Sequence, residues 1–176
     1  MILVVAATEH ELGGLPGLVC GVGPVDAAAR TAAALADARP AAVLNVGLAG
    51  ARAFGEPRFA IGSEAAYCDA DDPAWFELRL PGDDRLVAAA ARALPAASVE
   101  PIGTSARVGG ANGCEVEAME GYGVLRAAAL AGVPAVEVRV VVNAIGEQDR
   151  ARWRFDEGKA LLRDALPRLV EELERA

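Results

Sequence analysis

An α/β fold, with closely packed helices on a buried sheet, is what this sequence of 176 residues predicts. Three observations carry the prediction. Short, continuous apolar runs rich in valine and isoleucine recur along the chain, which is the pattern of strands covered on both faces. Between them lie alanine-rich segments stopped by proline or glycine, which read as helices. Hydrophobic residues make up 53% of the chain but aromatic ones only 5%, so the core must be assembled from Ala, Val and Leu.

The elements follow in order. Residues 2–6 form a first buried strand and residues 18–22 a second, with residues 24–38 a helix that presents small side chains until Pro40 stops it. Residues 41–46 are a third buried strand that runs into Gly47-Leu-Ala-Gly50, completing a βαβ-like unit. A strand is expected over 59–67, then the acidic loop Asp69-Ala-Asp-Asp-Pro73, a helix over 83–94 ended by Pro95, and a short strand over 99–104. Residues 109–113 read as a turn, and residues 115–131 as a helix with Gly132 at its C-cap. A strand over 135–142 and an amphipathic helix over 156–175 close the list. No internal repeat or linker divides the chain, so one domain over residues 1–176 is expected.

The formal charge is −8 and no Lys/Arg-rich run occurs, so nucleic acid and anionic membranes are poor partners. Cys20, Cys68 and Cys114 are widely spaced and lack any Cys-x-x-Cys pairing, which predicts reduced thiols and a cytoplasmic protein. The apolar start has no basic flank and meets Glu9-His10-Glu11 at once, so it reads as a strand and not a signal peptide. No apolar stretch reaches the ~20 residues that span a bilayer. His10 is the single histidine, which excludes a multi-histidine metal site.

Four places could carry chemistry. Glu9 and Glu11 lie where the first strand gives way to a loop, the end at which open α/β sheets bind ligands. Taken alone, they could equally complement the dipole of a helical turn. Gly21-Val-Gly-Pro-Val-Asp26 imitates a dinucleotide fingerprint but has Asp26 where the third glycine belongs, so a tight turn that starts a helix explains it without a ligand. Met119-Glu120 offers a soft apolar group beside a carboxylate, a pairing that suits a sugar. As part of a helix start, Glu120 would contribute only ~0.3–1 kcal/mol to stability, so its removal should move the melting temperature little. Glu137 and Arg139 sit among β-branched residues and should pair with each other, because an unpaired buried charge is costly. Asn143 ends that strand, where its amide could cap a loop.

In order along the chain, Ala6-Ala-Thr-Glu-His-Glu11, Gly21-Val-Gly-Pro-Val-Asp-Ala27, Asn45-Val-Gly-Leu-Ala-Gly-Ala51, Glu117-Ala-Met-Glu-Gly121 and Arg139-Val-Val-Val-Asn143 resemble the motif series of methylthioadenosine/S-adenosylhomocysteine nucleosidases and futalosine hydrolases. The resemblance implies a nucleoside phosphorylase-like, three-layer α/β/α sandwich around a twisted mixed β-sheet. The form is shortened between Glu11 and residue 18 and again before Glu117. It implies Glu11 as the acid/base that activates water and Asn143 as the residue that binds the purine. Met119 and Glu120 would contact the ribose, Arg139 would line the water and acid/base region, and Trp153 would stand on a loop over the pocket.

Asn143 stands where the adenine-releasing enzymes carry aspartate, and the stretch from Asn143 to Trp153 resembles the corresponding loop of futalosine hydrolases. An amide NH₂ can serve a 6-oxopurine, which offers acceptors at both N7 and O6. Leu48 has no hydroxyl for phosphate and residues 21–25 have no cation, so hydrolysis is expected over phosphorolysis. The implied reaction is release of hypoxanthine and dehypoxanthine futalosine from futalosine, a step of menaquinone biosynthesis, by a homo-oligomer with no metal or organic cofactor. The rivals are an adenine-releasing nucleosidase and a trimmed, non-catalytic nucleoside-binding relative.

Overall fold

A computed structural model describes residues 1–110 and 113–176, so the turn expected over 109–113 lies partly outside the described residues. These residues form an eight-stranded mixed sheet with helices on both faces, the three-layer sandwich expected. The first strand, β1 (Ile2–Ala6), runs parallel to both β2 (Leu18–Val19) and β3 (Ala42–Ala51). Next come β4 (Arg58–Tyr67), β5 (Arg79–Pro81), β6 (Ser98–Thr104), β7 (Val116–Ala118) and β8 (Ala135–Ala144). The helices are α1 (Pro24–Asp37), α2 (Asp84–Ala93), α3 (Gly121–Ala131) and α4 (Phe155–Glu174).

Strand periodicity sorts the side chains between the two faces, since alternate residues point to opposite sides. Leu44 and Val46 of β3, with Val136, Val138, Val140 and Val142 of β8, pack against Leu86 and Ala89 of α2 and Leu162, Leu166 and Leu169 of α4. Val43 and Ala135, of the opposite parity, pack with Ala27 and Leu35 of α1 and Val124 and Leu125 of α3. On that second face the odd-numbered positions turn polar toward the strand ends. Asn45 pairs in register with Glu137, and Gly47 with Arg139.

The central strands close on themselves. β3 pairs with β7, β7 with β6, β6 with β4, β4 with β8, and β8 again with β3. Ala49, Ala51, Ala60, Ile102, Val116, Ala118 and Val141 fill this ring, and their modest size matches the aromatic-poor composition. β2 and β5 hang outside the ring as the two ends of the sheet.

Several expectations are corrected. The segment expected as one helix over 115–131 divides into β7, a turn at Met119 and Glu120, and α3. Val116–Ala118 pairs antiparallel with β3 and parallel with β6, and this ladder outweighs the helical propensity of the stretch. Glu115 and Glu117 are therefore not first-turn helix carboxylates. β3 continues through the glycine-punctuated segment to Ala51, where β8 supplies a continuous partner. β2 is only two residues long, and the three-residue strand β5 has no signal in the sequence.

Candidate active site

A cavity of about 870 Å³ opens at the carboxyl ends of the parallel strands β1, β3 and β8. Its lining brings together Glu11, Met119, Glu120, Asn143 and Trp153, five of the six residues singled out from the sequence. Arg139, the sixth, does not line it. The guanidinium is fully buried behind Glu120 and donates to Glu137, Glu120 and Asn45, while its Nη1 and Oε1 of Glu11 both lie against Gly47.

Glu11 comes from a single 3₁₀ turn, Glu9–Leu12, that follows β1. The turn buries Glu11 and leaves Glu9 exposed. Oε2 of Glu11 accepts from the Thr8 backbone N–H at 3.0 Å and from the Thr8 hydroxyl at 2.8 Å, while Oε1 accepts from the Leu48 N–H at 3.0 Å. A carboxylate has about four acceptor sites, so these three bonds leave one, on Oε1. The carboxylate is fixed in place and can still accept from a water in the cavity.

Met119 and Glu120 occupy the turn between β7 and α3. Oε1 of Glu120 accepts from the Gly23 N–H at 3.1 Å and Oε2 from Nη1 of Arg139 at 3.1 Å. One acceptor site remains on each oxygen, enough for two neighbouring hydroxyls. The glycine-rich turn at 21–26 thus does more than start α1. Gly23, with φ of 97°, aims its N–H at the sugar-binding candidate.

Beneath Glu120 lies a polar network with no solvent exposure. Arg139 donates from Nε to Glu137 at 2.7 Å and from Nη2 to Oδ1 of Asn45 at 2.7 Å. Asn45 in turn donates to the Val5 carbonyl at 3.2 Å. Burial opposes the charge on Arg139, but Glu137 and then Glu120 more than offset it, so its pKa rises above the ordinary arginine range. Burial pushes the Glu137 carboxyl up, with Arg139 opposing. The nearby Cys20 thiol is pushed up to about 11 by burial, with Glu120 adding to the effect, which keeps it neutral and unreactive at pH 7. Asn45 had no role assigned from sequence. The signal was there, an amide within the apolar run of a buried strand.

Asn143 enters the cavity from the end of β8, past a register shift against β3 between Ala49 and Gly50. Val142 is the extra residue at this bulge, a local feature that re-aims the side chains beyond it. Nδ2 of Asn143 donates to the Ala144 carbonyl at 3.0 Å, and its second hydrogen remains available. Trp153 is held by a bond from Nε1 to the Glu147 carbonyl at 3.0 Å and packs against Phe155. Among the described residues no three His, Cys, Asp or Glu side chains are grouped to hold a metal ion, and no helix is long and apolar enough to cross a membrane.

No family model matches the chain. Two relatives align with parts of it. A futalosine hydrolase of Streptomyces coelicolor is 52% identical over 62 residues, 35% of this chain and 26% of the relative. A futalosine hydrolase of Acidothermus cellulolyticus is 56% identical over 41 residues, 23% of this chain and 17% of the relative. The matched segments thus span about a quarter or less of the relatives' own length. Solved structures match the whole fold. The S-adenosylhomocysteine nucleosidase of Streptococcus pyogenes, in complex with 5-methylthiotubericidin, superposes with a TM-score of 0.85 at 21% identity, covering 98% of this chain and 96% of that one. A futalosine hydrolase mutant of Helicobacter pylori gives 0.85 at 15% identity, covering 97% and 98%. The chain has the fold of these nucleosidases.

Proposed function

We propose that this chain hydrolyses the N-glycosidic bond of futalosine, releasing hypoxanthine and dehypoxanthine futalosine, a step of menaquinone biosynthesis. The observation that carries the reading is convergence: Glu11, the pair Met119 and Glu120, and Asn143 come from three separate elements to one cavity. Segments more than 50% identical to two futalosine hydrolases support the choice of substrate.

The chemistry follows from what each group has left to offer. Cleavage builds oxocarbenium character on the ribose and negative charge on the departing purine. Glu11, with one acceptor site open, draws a proton from the attacking water. Glu120, with one open site on each oxygen, accepts from two sugar hydroxyls, and Met119 lies against the sugar. Asn143 donates its free amide hydrogen to the 6-oxopurine as charge develops there. Arg139 serves from beneath, by holding Glu120. We read the protein as one domain acting in the cytoplasm as a homo-oligomer. Val22 and Val108, apolar and exposed at the cavity, support self-association.

The test is incubation with futalosine, methylthioadenosine and inosine, with and without phosphate, followed by chromatography of the free base. Hypoxanthine from futalosine, independent of phosphate, is the expected result. Faster release of adenine from methylthioadenosine would replace this reading with the adenine-releasing one, and no free base from any of them would leave a nucleoside-binding protein.

A further inference from the structure

We propose that Glu137 is a positioning residue for the sugar-binding carboxylate Glu120, acting through Arg139. The inference rests on the reading of Glu120 as acceptor of the sugar hydroxyls. Glu137 does not line the cavity and lies fully buried within β8. Its Oε1 takes the Nε edge of the Arg139 guanidinium at 2.7 Å. With that edge occupied, Nη2 meets Asn45 at 2.7 Å and Nη1 meets Glu120 at 3.1 Å. A guanidinium is planar with fixed donor directions, so two of these contacts dictate where the third points.

A second contact works from the other side. The Glu137 carboxyl packs against Gly121, the residue after Glu120, so closely that a β-carbon there would collide with it. Glu137 therefore braces the turn that presents Glu120 as well as the arginine that holds it.

Fold stability accounts poorly for this carboxyl. Its neighbours on β8 apart from Arg139 are the apolar Ala135, Val136 and Val138, and among the described residues its Oε2 has no hydrogen-bond partner. Apolar replacement of a whole buried ion pair is often neutral or stabilising, so a fold gains little by keeping the pair, although removing Glu137 alone leaves Arg139 short of a partner. The costly residue sits on the arginine that holds Glu120, which is where a positioning role would place it.

The test measures binding by calorimetry of formycin B, a C-nucleoside whose glycosidic bond water does not cleave, and of its counterpart lacking the 2′ and 3′ hydroxyls. Wild type is expected to prefer the diol by about 10²-fold, the worth of two hydrogen bonds to a charged group. Glu137→Met fills similar volume without an acceptor, and should cut that preference at least about tenfold while leaving the dideoxy affinity within about twofold. Glu137→Gln, which keeps an acceptor for Nε, should restore most of it. A folded Met variant with wild-type preference, or with equal loss for both nucleosides, overturns the proposal. If the Met variant does not fold, Glu137→Val takes its place, and failure of both to fold overturns it too. Futalosine turnover by wild type is measured alongside: no turnover with the diol preference intact removes the hydrolase reading alone, and no diol preference in wild type removes this one.

Discussion

Gly47 of β3 faces Arg139 of β8 across the ladder, and a β-carbon on Gly47 would collide with Nη1 of the arginine and lie 2.9 Å from Oε1 of Glu11. The missing side chain is what lets a cation and the cavity's candidate acid/base approach the same backbone position. Gly47→Ala should therefore displace Arg139 or Glu11, at a cost of about 1–3 kcal/mol for overpacking. Denaturant unfolding measures that cost, and the same variant should lose turnover beyond what its stability explains. A variant of unchanged stability and activity would show that the network can shift freely.

Glu11 and Glu9 separate the catalytic reading from a helix-dipole one. Glu11→Gln should lower turnover by roughly 10²–10⁴-fold, the usual worth of a positioned acid/base, and Glu9→Gln should do little. Equal effects in steady-state assays would break the assignment.

Asn143 is expected to set the choice of base. Asn143→Asp confronts the lone pairs of O6 with a second acceptor, a mismatch of about 1–3 kcal/mol, so futalosine turnover should fall by roughly one to two powers of ten. Aminodeoxyfutalosine, whose amino group can donate to the new carboxylate, should lose less. The ratio of the two specificity constants in both proteins is the measurement, and an unchanged ratio would reduce Asn143 to a strand-end cap.

For Glu120 the structure reverses what the sequence implies about stability. The sequence places it at a helix start, where its loss costs little. It is instead buried and paired with Arg139 at 3.1 Å. Glu120→Ala would leave the arginine short of a partner and should cost about 3–5 kcal/mol, read by chemical denaturation. Glu120→Gln, of the same shape, is the variant that isolates its part in activity.

The raised pKa of Glu137 has a signature in stability. The folded protein holds this proton more tightly than the unfolded chain does. The stability so gained is full below the ordinary glutamate range, roughly pH 4, and is lost as pH rises through the raised value. Glu137→Gln cannot titrate. The melting temperature of wild type minus that of the variant should therefore fall with rising pH across that window, and a constant difference would contradict it.

Much of this was legible in the sequence, for physical reasons that vary along the chain. β1 and β8 are covered on both faces, so their continuous apolar runs announce them. Val116–Ala118 is too short to show a period and owes its conformation to β3 and β6, which are distant in sequence. The closure of the strands into a ring is likewise a property of long-range pairing that no local pattern encodes. At the site, the residues lining the cavity were within reach because their motifs stand in a recognisable order. Asn45 and the direction of Arg139 were not, since they depend on which strands become neighbours. The pairing of Glu137 with Arg139 was, because the cost of burying either charge alone demands it.

The ring of strands also decides where the sheet can be approached by another backbone. Its five members pair in a closed circuit, and two short strands stand at the ends of the sheet. On one flank stands the two-residue strand Leu18–Val19. On the other is Arg79–Pro81, where the proline has no N–H to offer and Arg79 adds a charge. Short, charged or proline-bearing edges are poor templates for strand addition. A chain this rich in valine and alanine is thereby protected against edge-to-edge aggregation, with its most β-prone segments, β3 and β8, sealed inside.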